Sequence, residues 1–246
     1  MKIIACSQAR FDSTRLPGKV LTEVNGIPLL EFHIRRLAKA ERVTEHVIAT
    51  SVLDDDNGIV QYCQQCGVKV VRGSKDNVLK RFSRVIEALS LSDDDRIIRL
   101  TADCPMVDAA LIDELITHHL KTGDDYTSIN TGKHIRGFDA EIMTVAALKS
   151  AAQQATLEYE FEHVTPFIYQ HPNLFKCGQY RVFQKVTTAA RLCIDEDADL
   201  QMFEKLVQCY PASLVEASSI DIMAFMAAQP VIANINLHVY QKQLGE

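Results

Sequence analysis

From its start to Gly123 the chain alternates between two hydrophobic rhythms, and that alternation leaves few folds open. Short continuous apolar runs read as buried strands: "KIIACS" (Lys2–Ser7), "HVIAT" (His46–Thr50), "VKVVRG" (Val68–Gly73) and "DRIIRL" (Asp95–Leu100). Between them lie stretches with helical spacing. Ile27–Ala40 carries Pro28 where a first turn tolerates it, and Asp54–Gly67 closes on a glycine. Lys75–Ser90 is amphipathic, and Asp108–Gly123 has an Asp cap and a Gly stop. Strands and helices in this order imply βαβ units. The expected fold class is therefore α/β, with a mostly parallel central sheet covered on both faces.

After Gly123 the rhythm breaks. "DYTSIN" and "FDAEIM" look like strands, while "TVAALKSAAQQA" and "EYEFEHVTPFIYQ" look helical, with a bend or break at Pro166. Arg191–Ile194 returns to a strand signal and "EDADLQMFEKLVQCY" to a helix. There is no repeat, low-complexity tract or Gly/Ser linker, so one domain is expected over residues 1–246. Residues 130–185 are expected to be an inserted subregion on its open side. The final run "PVIANINLHVYQKQLGE" has mixed apolar spacing, suited to packing on a partner subunit or on the chain's own core.

Charge and cysteine usage exclude some functions. The net charge of −6 argues against general nucleic-acid binding, which needs a broad basic face. "MKIIAC" is too short for a secretory apolar region, and no window approaches a membrane-spanning length. Seven cysteines, an odd number, fit reduced thiols in the cytoplasm better than a disulfide framework.

Against this acidic background, "ARFDSTRLPGKVL" (Ala9–Leu21) gathers Arg10, Arg15 and Lys19, opposed only by Asp12. It follows the first strand, so it lies at the carboxyl rim of the sheet, where ligands of α/β folds collect. Cations and backbone donors there suit a polyphosphate, although a solvated surface turn is also compatible. It is not a Walker A loop, which needs Gly in place of Ser13 and Ser or Thr in place of Val20. Asp103, in "TADCP" after the fourth strand, is either a turn residue or a Mg²⁺ ligand beside a triphosphate. Asp195, in "CIDEDADL", is either a cap or a second such ligand, with Asp197 and Asp199 as first-turn acids. A basic loop and two strand-end carboxylates together make a metal–nucleotide site.

At these residues the chain resembles the bacterial sugar cytidylyltransferases, which activate acidic sugars with CTP. "ARFDSTRLPGKVL" is similar to their amino-terminal signature, and "GSKDNVLKRF" to a second segment of the superfamily. "RLTADCP", "GFDAEIM" and "EHVTPFI" resemble the spore-coat polysaccharide biosynthesis branch. The resemblance implies a three-layer, Rossmann-like domain of the nucleotide-diphospho-sugar transferase type. It implies that Arg10, Ser13, Arg15 and Lys19 hold the CTP phosphates, with Thr101 also at the nucleotide. It makes Asp103 and Asp195 the Mg²⁺ ligands, and Arg15, Lys19, Asp103 and Asp195 the catalytic set. A homodimer is implied in the same way. Departures are present: Ala102 and Cys104 flank Asp103, and Glu196 and Asp197 replace Thr and Pro of the family's stretch after Asp195.

Ser74, Asp76 and Asn77 are donors and acceptors suited to a base or ribose, with a helix N-cap as the alternative for Ser74 or Asp76. Arg81 is placed to pair with Asp76 or to face solvent. Arg136, Asp139, Glu141, Glu162 and His163 combine acids with an arginine, as a polyhydroxylated acceptor needs; a salt-bridge network or a subunit contact needs the same residues. The expected reaction is attack of a sugar hydroxyl on the α-phosphorus of CTP, with loss of pyrophosphate. The rivals are a glycosyltransferase and a non-catalytic nucleotide-binding scaffold. The first would need an Asp-x-Asp metal site, but Asp54–Asp56 and Asp93–Asp95 are expected away from the carboxyl rim. Other features carry little. Cys63 and Cys66 form a lone C-x-x-C, His118 and His119 point to different helix sectors, and no G-x-S-x-G elbow is present.

Overall fold

Ile4, Ala5 and Cys6 are fully buried, which a strand achieves only with neighbours on both edges and layers on both faces. The computed structural model, which describes residues 1–131, 135–182 and 189–240, supplies both. Strand β1 (Ile3–Gln8) pairs in parallel with β4 (Glu45–Ser51) on one side and β6 (Arg96–Thr101) on the other. Beyond β4 lies β5 (Lys69–Gly73), also parallel. Beyond β6 lie β9 (Glu141–Thr144), β7 (Tyr126–Asn130) and β10 (Cys177–Arg181), completing a seven-stranded sheet in the order β10-β7-β9-β6-β1-β4-β5. Among the described strands of this sheet β9 alone runs antiparallel to its neighbours, so Glu141, its first residue, pairs with Arg99 near the carboxyl end of β6.

Alternate residues of β1 serve different layers. Ile3 and Ala5 pack with α1 (Leu29–Leu37), α4 (Ala109–Thr122), α8 (Asp197–Cys209) and α9 (Ser219–Ala228). Ile4 and Cys6 face α3 (Val78–Ala88), α5 (Val145–Gln154) and α7 (Pro166–Gln170) on the other side. A smaller cluster joins α2 (Asn57–Gln65) to the β4 side through Ile59 and Cys63. Helix α6 (Glu158–His163) precedes α7, and the break between them falls at Val164, with φ 71°, before Pro166 opens α7. Helix α10 (Pro230–Ala233) follows α9; residues 241–246 of the final run lie outside the described residues. Within the 130–185 stretch, β9 and β10 belong to the main sheet, while residues 132–134 and 183–185 lie outside the described residues.

Three boundaries differ from expectation. Helix α1 begins at Leu29 because Ile27–Pro28 is β3, paired with β2 (Glu23–Val24) around Asn25 and Gly26. Both turn residues have positive φ, 54° and 73°, as a tight hairpin requires. Pro28 is therefore the extended N-cap, not a first-turn residue. Next, the strand expected over Arg191–Ile194 is only β11 (Ala190–Arg191), paired with β8 (Ile135–Arg136). Beyond it the chain turns to the sheet rim, where the Ile194 N–H donates to the Asp103 carbonyl at 2.8 Å. Gly137 (φ 113°) permits this approach: a Cβ there would lie 2.7 Å from the Leu192 Cβ. Third, Asp54–Asp56 follow β4 and so lie at the carboxyl rim, contrary to expectation.

Candidate active site

The carboxyl ends of β1 and β6 and the start of β9 open onto a cavity of about 720 Å³. Arg10, Ser13, Arg15, Lys19, Thr101, Asp103 and Asp195 line it on the β1 side; Arg136, Asp139, Glu141, Glu162 and His163 line it on the β9 side. Ser74, Asp76 and Asn77 are not among the lining residues. Asn77 is instead the N-cap of α3, accepting from the Lys80 N–H at 2.7 Å, and the Ser74 hydroxyl accepts from the Asn77 N–H. The capping alternative accounts for these contacts, with Asn77 rather than Ser74 or Asp76 in the cap position.

Lys19 is the centre of the β1 side. Gly18, at φ 72°, starts the short turn that buries Lys19 to 6 % exposure. Its ammonium donates to Asp103 Oδ2 at 2.8 Å, Asp195 Oδ1 at 2.8 Å and the Ile194 carbonyl at 2.6 Å. Burial alone would lower the Lys19 pKa, but the Asp103 and Asp195 carboxylates outweigh it and raise it. Burial would likewise raise Asp195; Lys19 foremost, with Arg15 and Arg191, holds it below the usual carboxylate range.

Asp195 is not a cap. Glu196 is the N-cap of α8, and the fully buried Asp199 accepts the Asp195 and Glu196 N–H groups at 2.9 and 3.1 Å. Arg191 then bridges Asp195 Oδ2 (2.6 Å) and Asp199 Oδ1 (3.0 Å). Arg15 adds contacts to Glu196 (2.7 Å) and Asp195 (3.3 Å). Asp195 is thus held by three cations. Among the described residues Lys19 is the one cation paired with Asp103, whose other oxygen has the Cys104 thiol 3.8 Å away.

Two arginines of the site make no ion pair among the described residues. Arg10 donates to the Lys75 carbonyl at 3.1 Å, and Arg81 donates to the Ser74 and Lys75 carbonyls. Arg81 neither pairs with Asp76 nor faces solvent: it is fully buried and lines the cavity. Burial, then the nearby Arg10 charge, lowers its pKa to about 10. It remains a cation at neutral pH. Among the described residues its Nη1 has no hydrogen-bond partner, as a site for an anion requires.

On the β9 side Glu141 collects three donors: Arg99 at 2.5 Å, the Tyr126 hydroxyl at 2.5 Å and the Thr165 hydroxyl at 2.7 Å. Arg136 pairs with Asp139 at 3.3 Å. Burial lowers the His163 pKa. Arg99, Tyr126 and Thr165 escaped the sequence reading, yet Arg99 had a signal: a charge inside the otherwise apolar run "RIIRL". Buried polar atoms without a partner are rare. Among the described residues they include Gln8 Oε1, Arg81 Nη1, Arg99 Nε and Arg136 Nε, all on residues that line this cavity. They leave the cavity wall with unused polar bonding capacity.

The aspartate run after β4 has another task. Asp56 Oδ1 accepts the Phe11 N–H at 2.7 Å and Oδ2 the Ser51 N–H at 2.9 Å, fixing the basic loop to β4. Its position permits a rim metal ligand, but both oxygens are engaged. Asp95 accepts from the Lys2 and Ser92 N–H groups at the far end of the sheet.

A second network lies beneath the rim. The Ser7 hydroxyl stands 2.7 Å from His33 Nε2 and 2.9 Å from His46 Nε2, and His33 Nδ1 stands 3.0 Å from the Cys104 carbonyl. A carbonyl only accepts, so His33 Nδ1 carries the proton. Ser7 therefore donates to His33 and accepts from His46. Burial pushes the His33 pKa down to about 4.

A cytidylyltransferase family model matches residues 4–224. The chain belongs to the cytidylyltransferase family. It is 35% identical over 212 residues to the spore coat polysaccharide biosynthesis protein SpsF of Bacillus subtilis, covering 84% of this chain and 86% of that protein. It is 35% identical over 118 residues to the 8-amino-3,8-dideoxy-manno-octulosonate cytidylyltransferase of Shewanella sp. strain W3-18-1, covering 47% of this chain and 46% of that one. A solved cytidylyltransferase from Leptospira borgpetersenii superposes with a TM-score of 0.88 at 27% identity, over 98% of this chain and 100% of that one. The fold and the family expected from the sequence are both borne out.

Proposed function

We propose that this chain transfers the cytidylyl group of CTP to a sugar hydroxyl, releasing pyrophosphate and activating the sugar for polysaccharide or glycan synthesis. The observation that carries the reading is the Lys19 ammonium set between Asp103 and Asp195 at the rim, beside the unpaired Arg10 and Arg81. A triphosphate is the anion that matches so many convergent cations. Arg10, Ser13, Arg15 and Lys19 would hold its phosphates, with Thr101 beside them. Lys19 and Arg15 would offset the charge that develops on the leaving pyrophosphate. Glu141, Glu162, His163, Asp139 and Arg136 would orient the acceptor, in line with the α-phosphorus.

The donor set fits Mg²⁺. Among the described residues no group of three or more His, Cys, Asp or Glu could hold a metal. Two carboxylates facing a cavity are nevertheless what this cation takes when phosphate oxygens and water supply the rest. Asp103 and Asp195 would hold it, and it would draw charge from the reacting phosphate oxygens. The names of the SpsF and octulosonate relatives support a polysaccharide pathway and an acidic acceptor. The homodimer and the cytoplasmic location belong to the same reading. No helix among the described residues is long and apolar enough to cross a membrane.

The test supplies each nucleoside triphosphate with Mg²⁺ and a panel of acidic, amino and neutral sugars, and measures pyrophosphate. Release with CTP and one sugar class is expected. Release that ignores the base, or none together with no CTP-induced rise in melting temperature, would overturn the reading.

A further inference from the structure

The Sγ atoms of Cys104 and Cys193 lie 2.6 Å apart. Both residues are buried, 4% and 6% exposed, and both line the cavity. Their separation is within about 0.6 Å of a disulfide bond length, so the two sulfurs are in reach of each other. The placement is as specific as the distance. Cys104 directly follows Asp103, Cys193 comes two residues before Asp195, and the Ile194 N–H to Asp103 carbonyl bond joins the two segments at 2.8 Å. The odd cysteine count reads as reduced thiols rather than a disulfide framework, and the proposed reaction gives this pair no part. Of the others, Cys6 and Cys63 are buried, and Cys66, Cys177 and Cys209 are exposed.

We propose that Cys104 and Cys193 are a reversible redox pair whose disulfide weakens nucleotide binding. The effect on the nucleotide rests on the CTP reading above; the pairing itself does not. With hydrogen peroxide as oxidant, one thiolate attacks a peroxide oxygen and the O–O bond breaks, giving a sulfenic acid and hydroxide. The second sulfur then attacks the sulfenic sulfur, the S–S bond forms and the hydroxyl leaves as water. Two thiols lose two electrons and two protons, and the peroxide becomes two waters. Dithiothreitol reverses the change by thiol–disulfide exchange.

The consequence follows from what the two cysteines flank. Lys19 now bridges Asp103 and Asp195. To grip a phosphate, Lys19 must turn from the carboxylates, and the carboxylates must re-space around their new partners. A covalent link between their chain segments holds them at the Lys19-bridged spacing. The buried position limits access to small oxidants that enter the cavity, which separates this pair from the exposed thiols.

The test uses the full chain with Cys66, Cys177 and Cys209 replaced by serine. It is treated with hydrogen peroxide, digested without reductant and examined by mass spectrometry. CTP affinity is measured by calorimetry with Mg²⁺, before oxidation, after it and after dithiothreitol. The expected result is a Cys104–Cys193 linked peptide and a fall in CTP affinity of about tenfold, a typical coupling between two sites. Dithiothreitol should restore the affinity, and Cys193→Ala in the same background should be indifferent to peroxide. Free thiols, a link to another cysteine, or a link that leaves CTP affinity unchanged would overturn the proposal. If the reduced protein binds no CTP, it is the nucleotide reading that fails. The pair is then judged by the linked peptide and a raised melting temperature, and the absence of either overturns it.

Discussion

The Lys19 ammonium lies 2.8 Å from the Asp103 carboxylate across 84 residues of sequence, and the same ammonium reaches Asp195. One side chain therefore ties the basic loop after β1 to two distant segments, the one that follows β6 and the one that leads into α8. Lys19→Met removes the tie and leaves two carboxylates facing each other. Breaking a buried ion pair costs about 3–5 kcal/mol, and the 27% exposure of the Asp103 side chain places this one at the low end. Urea unfolding is expected to show that loss. Calorimetry is expected to show CTP binding weakened by more than the unfolding accounts for.

The two aspartates should separate by stability. Asp195→Asn removes one carboxylate partner from each of Lys19, Arg15 and Arg191, whereas Asp103→Asn removes one from Lys19 alone. Thermal melting is expected to drop more for Asp195→Asn. Asp103→Asn should keep a near-native melting curve and lose Mg²⁺-dependent pyrophosphate release. Wild-type rates in Asp103→Asn would remove it from the metal site.

His33 gives the protein a pH signature. Its pKa falls from an ordinary 6.5 to about 4 in the fold. Between those values the unfolded chain binds a proton that the folded chain refuses, so acid favours unfolding. The contribution is complete above pH 6.5 and is lost as the pH falls toward 4. Unfolding free energies across that window should decline less steeply in His33→Gln, by about 1.4 kcal/mol per pH unit. An unchanged slope would mean that His33 titrates normally.

Glu141→Gln tests how far the two sides of the cavity are independent. The change leaves the Arg99 guanidinium without its carboxylate and keeps the hydroxyl contacts of Tyr126 and Thr165. The acceptor KM is expected to rise about tenfold, a loss of ground-state contact, with CTP affinity unchanged. Initial rates with the sugar found in the acceptor panel decide it. Equal effects on both substrates would make Glu141 a general support of the fold.

Gly137→Ala probes the meeting of β8 and β11. With φ at 113° and a new Cβ only 2.7 Å from Leu192, the alanine is strained and clashes. The expected loss is about 2 kcal/mol or more by urea unfolding. Because β8 carries Arg136 and β11 carries Arg191, activity should fall with stability.

The parallel strands and their rim were legible because apolar runs and helical periods differ so plainly in the first half of the chain. The basic loop was legible because its charges cluster in sequence. What was hidden depended on pairing. Nothing local in "FDAEIM" reveals that β9 runs against its neighbours, and only that direction brings Glu141 to Arg99. The β2–β3 hairpin was readable from Asn25-Gly26, and the flanking helical spacing masked it. Helix α9, apolar on most sides, offered no amphipathic stripe to find. Asp54–Asp56 were misplaced because they open a helix; that helix follows a strand, and its start is the rim.

The reversal of β9 also divides the site by chain direction. The side that meets the basic loop is built where strands finish, while Glu141 stands where a strand starts. The segment entering β9 arrives from Ile135 to Ala140, and the segments leaving β1 and β6 depart elsewhere. Gly137 apart, whose backbone meets Leu192, substitutions before Glu141 can therefore reshape one wall without shifting the pairing of β1 with β6 that places Lys19 and Asp103. A lineage built on this frame is free to change the molecule it activates while keeping the chemistry of activation fixed.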